Sequence, residues 1–432
     1  MHKKYTAYGT TIHTFEFDPE VYSWTIEIGK PGVLEALQQI APNADYVMNW
    51  SVFDWSTGKN GYGRIQNGKS IIQGSSPDFP TISFVDGKLR EGEYPDARPG
   101  FARWRIVVRD GKIVCDYVAD GNHNAKDARS AIGQKGNGNI VFITVEGDDT
   151  KKQGMTAQEL GLFALSLGCT FCCDCDGGGS VACRSKYGYI YEQGRAVAGA
   201  MVVEKKTLLN MCMTKIGCGY AWATQGETLT EQLLRSLVQQ WGEGKYYFDG
   251  YSAEKWLGKQ CFDCSGLIVW AGNKLGIIRG DYTAEGLYAM CDKVSQPQPG
   301  DLCFNRNLTH VGIYVGSGQY LHAKGTKYGV MVTDQYTFVK FGRLRMLNNT
   351  VSEEWQSKAV EFVTAFQQKT GITIDGMAGK NTYAKLEELT QEKQARYKVY
   401  EKCMTCMNRN SPQCLECDGE KCYKPYDETL MI

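Results

Sequence analysis

The sequence predicts an α+β chain built from several domains. Short strand-like runs alternate with turn-rich stretches over the first two hundred residues. Farther on, a cysteine opens a helix-like run, and two histidine-bearing, glycine-bounded apolar segments follow it. At 432 residues the chain is also too long for one ordinary core. Domains are expected at residues 1–205, 206–346, 351–390 and 391–432.

Lysine plus arginine and aspartate plus glutamate both number 48, so the formal charge is zero. That balance gives no electrostatic reason to expect nucleic acid or an anionic membrane as partner. Residues 1–8 hold two lysines with no apolar stretch behind them, and are not expected to act as a secretion signal. No apolar run approaches the ~20 residues of a membrane span. Seventeen cysteines without such a signal read as thiols or metal ligands rather than as a disulfide framework.

In the first segment, strands are expected over 104–108, 112–118 and 139–145. A helix is expected over 156–167, with Thr156 as N-cap and Glu159 completing a capping box. A cysteine-rich strand over 169–175 then leads into Asp176-Gly177-Gly178-Gly179-Ser180. Three glycines after a strand can turn backbone N–H groups into a nest for an anionic oxygen, with a tight turn as the plain alternative. Cys172, Cys173, Cys175 and Cys183 could suggest a metal, but small side chains alternating on a buried strand explain them better.

The surroundings of that turn resemble the phosphodiester glycosidase family, the group related to the lysosomal uncovering enzyme. The resemblance rests on Gly154-Met155-Thr156 through Glu159-Leu160, on Asp174-Cys175-Asp176-Gly177-Gly178-Gly179-Ser180, and on Gly194-Arg195-Ala196-Val197-Ala198. Asn49, in Met48-Asn49-Trp50-Ser51, stands where the family has an Asn-Gly-Gly-Phe-like turn, and Arg103 lies in the Arg-containing strand. The resemblance implies cleavage of a sugar–phosphate bond and a mixed α/β domain. Such chemistry needs charge neutralisation on the departing phosphate and a carboxylate near the anomeric carbon. Arg103 and Arg195 are the phosphate candidates, and Asp176 is the first choice of carboxylate. Glu159 is a second choice, with a purely helix-capping role as its equal alternative, and Asn49, Gly177, Gly178, Gly179 and Ser180 complete the expected binding set.

The second segment centres on Phe262-Asp263-Cys264-Ser265-Gly266-Leu267. A cysteine at a helix start feels partial positive charge, which favours thiolate. Of the five histidines, His310 and His322 lie close downstream in segments patterned as a hairpin. Each of the three residues alone could be a core residue, and together they could ligate zinc. Their ordered context favours nucleophile, base and orienting group.

Asp263-Cys264-Ser265-Gly266, Pro299-Gly300-Asp301-Leu302, His310-Val311-Gly312-Ile313-Tyr314 and Leu321-His322-Ala323 resemble the NlpC-type cell-wall cysteine peptidases, in the family's order. The resemblance implies a papain-like α+β fold, Cys264 as nucleophile, His310 as general base and His322 as its orienting residue. It also implies Tyr220 near the oxyanion, Asp263 and Ser265 in contact with substrate, and no required cofactor. Ala223-Thr224 replace the usual glycine pair, and the segment 225–260 is longer than compact members need.

Around Ala365 to Tyr383 the chain resembles the repeat of small helical peptidoglycan-binding domains. The tail then carries Cys403, Cys406, Cys414 and Cys417 as two Cys-x-x-Cys pairs, which fit a structural zinc site, with disulfides as the alternative and Cys422 unassigned. The combined expectation is a modular, phage-type cell-wall lysin. It would be made in the host cytoplasm, act at the wall, and take peptidoglycan and wall glycopolymers, with phage tail proteins, as partners. The alternatives are a phage adhesion protein that uses enzyme folds to bind glycan, and a papain-like amidase or transferase with a non-wall substrate.

Overall fold

The computed structural model describes residues 2–28, 34–50, 64–67, 70–73, 81–102, 105–115, 125–248, 250–334, 337–345, 366–370, 385–386 and 388–389. Arg103, most of the peptidoglycan-binding-like stretch and all cysteines of the tail lie outside these residues. The chain divides into two compact units, Met1–Ser352 and Glu353–Ile432. The first unit contains two mixed α+β lobes.

The first lobe begins with β1 (His2–Ala7), β2 (Thr10–Phe17), β3 (Tyr22–Ile28), a helical turn α1 (Leu37–Ile40) and β4 (Tyr46–Asn49). Next come β5 (Arg64–Asn67), β6 (Ser70–Gln73), β7 (Thr81–Val85), β8 (Lys88–Glu91) and β9 (Gly100–Ala102). The chain continues through β10 (Arg105–Arg109), β11 (Lys112–Ile113), β12 (Arg129–Lys135), β13 (Ile140–Val145) and α2 (Ala157–Ser166). It closes with β14 (Cys169–Asp174), β15 (Ala182–Ser185), β16 (Gly188–Glu192) and β17 (Gly199–Lys205). These strands form three sheets, ordered β1-β2-β13-β12-β14-β10-β11, β16-β15-β4-β17-β3 and β6-β5-β9-β7-β8.

Period-two patterning builds the layers. Ile140 and Phe142 of β13 face Trp24, Tyr46, Met48 and Met201 of the second sheet, while Val141, Ile143 and Val145 face Leu160 and Phe163 of α2. The cysteines follow the same rule. Cys169 and Cys172 join the helix side, and Cys173, Cys175 and Cys183 join the inter-sheet core. Burial pushes the Cys169 thiol up to about 12 and the Cys183 thiol up to about 11, as expected for thiols packed as small apolar groups.

The second lobe runs α3 (Leu208–Met213), β18 (Gln225–Thr228), α4 (Glu231–Trp241), β19 (Tyr247–Phe248), β20 (Tyr251–Ser252) and β21 (Gln260–Phe262). It continues with α5 (Cys264–Leu275), α6 (Ala284–Ala289), β22 (Cys291–Lys293) and β23 (Leu302–Phe304). Then come β24 (Val311–Gly316), β25 (Gln319–Gly325), β26 (Gly329–Thr333) and β27 (Lys340–Leu344). A six-stranded antiparallel sheet, β22-β27-β23-β24-β25-β26, carries α5 on one face. Leu267, Ile268, Ala271 and Leu275 of the helix meet Phe304, Val311, Ile313, Leu321 and Val330 of the sheet. Burying an aliphatic side chain of this size contributes about 1.5–3 kcal/mol. Gly276 stops α5 at φ +71°, the left-handed conformation that glycine adopts without strain.

The long segment 225–260 forms a subdomain with a core of its own, in which Leu234, Leu237, Tyr246 and Trp256 pack together. The two lobes also join through the turn before β3. Val21 lies in the apolar cluster of the second lobe with Leu208 and Met211. Glu20 pairs with Lys215 at 3.0 Å and with Lys274 at 2.9 Å. Lys206 Nζ donates to the carbonyls of Pro19 and Glu20 at 2.9 and 2.8 Å.

Candidate active sites

Cys264 is the first residue of α5 because Asp263 caps that helix. Asp263 Oδ1 accepts the Gly266 N–H at 2.7 Å and the Ser265 hydroxyl at 3.1 Å. Its Oδ2 accepts the Ala223 N–H at 2.9 Å, and Thr224 O accepts the Asp263 N–H at 2.9 Å. The loop that carries Tyr220 is thereby tied to the helix start, and Tyr220 shares an apolar cluster with Cys264. Gly266 allows the approach, since a methyl there would sit 2.1 Å from Thr224 O.

The Cys264 side chain is buried, and its sulfur lies 4.0 Å from Thr309 O. Burial pushes the thiol up to about 12, and the neighbouring Asp263 charge adds to the rise. The amides of Val311, Ser265 and Cys264 itself pull the other way. Burial thus opposes the thiolate that the helix N-terminus favours.

His310 directly precedes β24 and is held there by Asn305. The Asn305 Oδ1 accepts the N–H groups of Thr309 and His310 at 2.9 and 3.1 Å, and its Nδ2 donates to Thr309 Oγ1 at 2.9 Å. His322 lies on β25, fully buried. The two imidazoles meet through His310 Nε2 and His322 Nδ1 at 2.8 Å, and His322 Nε2 lies 3.0 Å from Thr333 Oγ1 on β26. Phe338 stacks on His310 at 5.8 Å between ring centroids and meets His322 edge-on at 5.5 Å. Gly312 lets these groups close, since a methyl there would fall 3.0 Å from His322 Cβ and 3.1 Å from Phe338 Cζ. Burial pushes His310 down to about 4 and His322 down to about 3, the latter helped by the charges of His310 and Lys324. Burial thus favours the neutral form of all three groups.

In the first lobe, Asp176 sits between Trp50 and the glycine turn. Its N–H donates to Trp50 O at 3.1 Å, and its carbonyl accepts Asn49 Nδ2 at 2.9 Å. Ser180 hydrogen-bonds the Asp176 carboxylate and also accepts Arg195 Nε at 3.1 Å. Burial pushes Asp176 up to about 6, against the pull of Ser180, Arg195 and the Gly177 amide, with Asp127 adding to the rise. Asp127 packs against the same turn: a methyl on Gly178 would lie 3.3 Å from its Oδ2, and one on Gly179 would lie 3.4 Å from Arg195 Cζ. Two carboxyl groups and one guanidinium therefore line the glycine run.

Residues 42–204 match the family model for phosphodiester glycosidase, and residues 242–357 match the NlpC/P60 family. This chain carries two enzyme domains. One is a phosphodiester glycosidase domain, and the other is an NlpC/P60 cysteine endopeptidase domain.

The SPbeta prophage-derived uncharacterized protein YomE of Bacillus subtilis is 37% identical over 94 residues, covering 21% of this chain and 15% of that one. Murein DD-endopeptidase MepH of Escherichia coli is 33% identical over 113 residues, covering 24% and 40%. The bifunctional muramidase/DL-endopeptidase CwlT of B. subtilis is 34% identical over 96 residues, covering 19% and 29%. The chain thus spans less than half the length of these curated relatives. Among solved structures, the catalytic domain of zebrafish N-acetylglucosamine-1-phosphodiester alpha-N-acetylglucosaminidase is similar at 16% identity and a TM-score of 0.42, covering 48% of this chain and 82% of that one. The peptidoglycan hydrolase RipB of Mycobacterium tuberculosis is similar at 22% identity and a TM-score of 0.23, covering 32% and 62%.

Several expected site residues also hold structural contacts. In the NlpC/P60 domain, Asp263 and Ser265 build the helix start. In the glycosidase domain, Glu159 completes the capping box, with Thr156 N–H on its Oε2 at 2.9 Å and Lys126 on its Oε1 at 3.2 Å. Both oxygens are engaged, as the capping alternative expects. Asn49 is buried, and its Oδ1 accepts the Ser130 hydroxyl at 2.5 Å and the Ala182 N–H at 3.1 Å. Through its Nδ2 it also holds the Asp176 carbonyl. In the glycine run, the N–H groups of Gly178, Ser180 and Val181 donate to Ala128 O, Gly177 O and Gly178 O, while the Gly177 amide bonds the Asp176 carboxylate.

Sequence reading missed Asn305, Thr333, Phe338 and Asp127. Only Asn305 had a local signal, in the turn-forming Asn305-Arg306-Asn307 ahead of His310. Among the described residues, no three of His, Cys, Asp and Glu converge as a metal site, and no helix is long and apolar enough to cross a membrane.

Proposed function

We propose that this chain is a modular bacterial cell-wall hydrolase whose NlpC/P60 domain cleaves an amide of the peptidoglycan stem peptide. The observation that carries the reading is the 2.8 Å contact between His310 Nε2 and His322 Nδ1 beside the helix-start Cys264. With that contact, His310 keeps Nδ1 for the thiol. As the substrate carbonyl arrives, Nδ1 takes the Cys264 proton while sulfur attacks carbon, so the charge pair forms during the step. The Cys264 N–H at the helix start, with Tyr220, would hold the oxyanion. His310 then gives its proton to the departing amine, leaving an acyl-enzyme. Water, deprotonated by the same imidazole, releases the carboxylate and restores the thiol.

The glycosidase domain would cleave a sugar phosphodiester in a wall glycopolymer. Arg195, with Arg103, would neutralise the phosphate, and the Asp176 carboxylate would stabilise positive charge at the anomeric carbon. The prophage-derived relative supports a phage endolysin or tail-associated lysin acting at the wall after host synthesis. The resemblance over Ala365 to Tyr383 supports wall binding. The Cys403, Cys406, Cys414 and Cys417 pairs would hold a structural zinc, while the cysteine chemistry itself needs no cofactor.

The test is mass spectrometry of fragments released from purified sacculi by wild-type and Cys264→Ala protein. New free amines at one stem-peptide bond, absent with the variant, are expected. No release by the wild type would overturn the reading.

A further inference from the structure

We propose that Thr333 is a positioning residue of the peptidase, which sets the tautomer of His322 and through it leaves His310 free to accept a proton. The proposal rests on the reading of Cys264, His310 and His322 as the catalytic set.

The register places Thr333 for this role. On adjacent antiparallel strands His322 stands opposite Met331 and Tyr320 opposite Thr333, so Thr333 is the diagonal neighbour of His322 on the same face of the sheet. Its hydroxyl reaches His322 Nε2 at 3.0 Å in a buried setting, on the side of the ring away from His310. Phe338 closes over both rings, so bulk water does not stand in readily for a missing partner.

The chain of contacts has two self-consistent proton arrangements. In the productive one, His310 carries its proton on Nε2 and donates to His322 Nδ1, while His322 carries its proton on Nε2 and donates to Thr333 Oγ1. His310 Nδ1 is then bare and can take the cysteine proton. In the reversed one, His322 donates from Nδ1 to His310 Nε2, and His310 bears its proton on Nδ1, where it blocks base catalysis. The productive arrangement needs an acceptor beyond His322 Nε2, because a buried N–H without a partner costs about 1–3 kcal/mol. The reversed arrangement leaves only a bare ring nitrogen there. Thr333 supplies the acceptor, and the low pKa values of both histidines keep the pair neutral, so that tautomer rather than charge is what must be fixed.

Thr333→Val keeps the branched shape and removes the acceptor. Thr333→Ser restores it. With sacculi as substrate, Thr333→Val is expected to lose at least about tenfold in kcat with KM within twofold, and Thr333→Ser to stay within about threefold of wild type. The second readout is 15N NMR of histidine-labelled full-length chain, which holds only five imidazoles. The His310 and His322 signals should exchange their protonated nitrogens in Thr333→Val, and in Thr333→Ala should the valine variant not fold, but not in Thr333→Ser. Thr333→Val at wild-type rate, a serine variant as slow as the valine one, or unchanged imidazole signals in the valine variant would each overturn the proposal. Any of these with Cys264→Ala still inactive would leave the peptidase reading standing, whereas an inactive wild type would remove that reading itself.

Discussion

The Asp263 carboxylate bonds the N–H of Ala223 through one oxygen while its other oxygen caps the helix that begins at Cys264. One side chain thus sets both walls of the cysteine's surroundings. Asp263→Ala should cost about 2 kcal/mol, as a lost cap and an orphaned amide together predict. Asp263→Asn should cost less, since it keeps an acceptor for Gly266 but turns a donor toward Ala223. Urea unfolding midpoints measure both, with peptidase activity falling in the same order.

Gly312→Ala tests the closeness of the histidine pair. The added methyl would meet Leu321 O at 2.9 Å as well as His322 and Phe338. Backbone cannot move aside cheaply, so a destabilisation of about 1–3 kcal/mol is expected. Peptidase activity should fall by more than that loss of folded protein accounts for, measured at a temperature where the variant remains folded.

The neutral histidines make the peptidase lobe acid-sensitive. Their folded pKa values lie below the ordinary 6.5, so the unfolded chain binds more protons as pH falls. Stability from these groups is present above about pH 6.5 and is lost as pH drops toward 4. His322→Gln should flatten that part of the stability curve. In wild-type protein kcat/KM should hold from neutral pH down to about 5 and fall near 4, where His310 protonates.

Asp176 carries the opposite sign. Its folded pKa of about 6 exceeds the ordinary 3.8, so the folded state holds the proton longer and loses stability as pH rises from about 4 to 6. Asp176→Asn should therefore gain stability relative to wild type at pH 7.5 but not at pH 4, by denaturant unfolding. Cleavage of a sugar phosphodiester should rise as pH passes about 6 in wild type, as the carboxylate forms, and vanish in the variant.

Cys264→Ala should abolish stem-peptide cleavage and leave sugar–phosphodiester cleavage within twofold. The substitution alters none of the contacts that Glu20, Val21 and Lys206 make between the lobes. Parallel assays on one preparation measure both activities.

Cys264, His310 and His322 were legible because each sits in a short local pattern that survives without knowledge of the fold. Helix α2, its Thr156 cap and strand β13 were legible for the same reason. Thr333 was not, because it meets His322 only once β25 and β26 pair in one register, and any alternating strand offers a threonine as plausible. The hydrogen bonds of Asn49 were not legible either, because its partners Asp176, Ser130 and Ala182 stand on distant parts of the chain. The burial of Cys264 was not legible, because a helix start shows in sequence whereas depth of burial does not.

Val21 leaves the glycosidase lobe to complete the apolar core of its neighbour, and Glu20 fixes two of that neighbour's lysines. A peptidase lobe excised at residue 206 would lack these groups and expose Leu208 and Met211. The natural unit of exchange between such enzymes is therefore not the single catalytic lobe. Recombination that swaps one glycosidase for another must bring along a turn shaped like Asp18 to Tyr22, or the peptidase it inherits starts life with a gap in its wall.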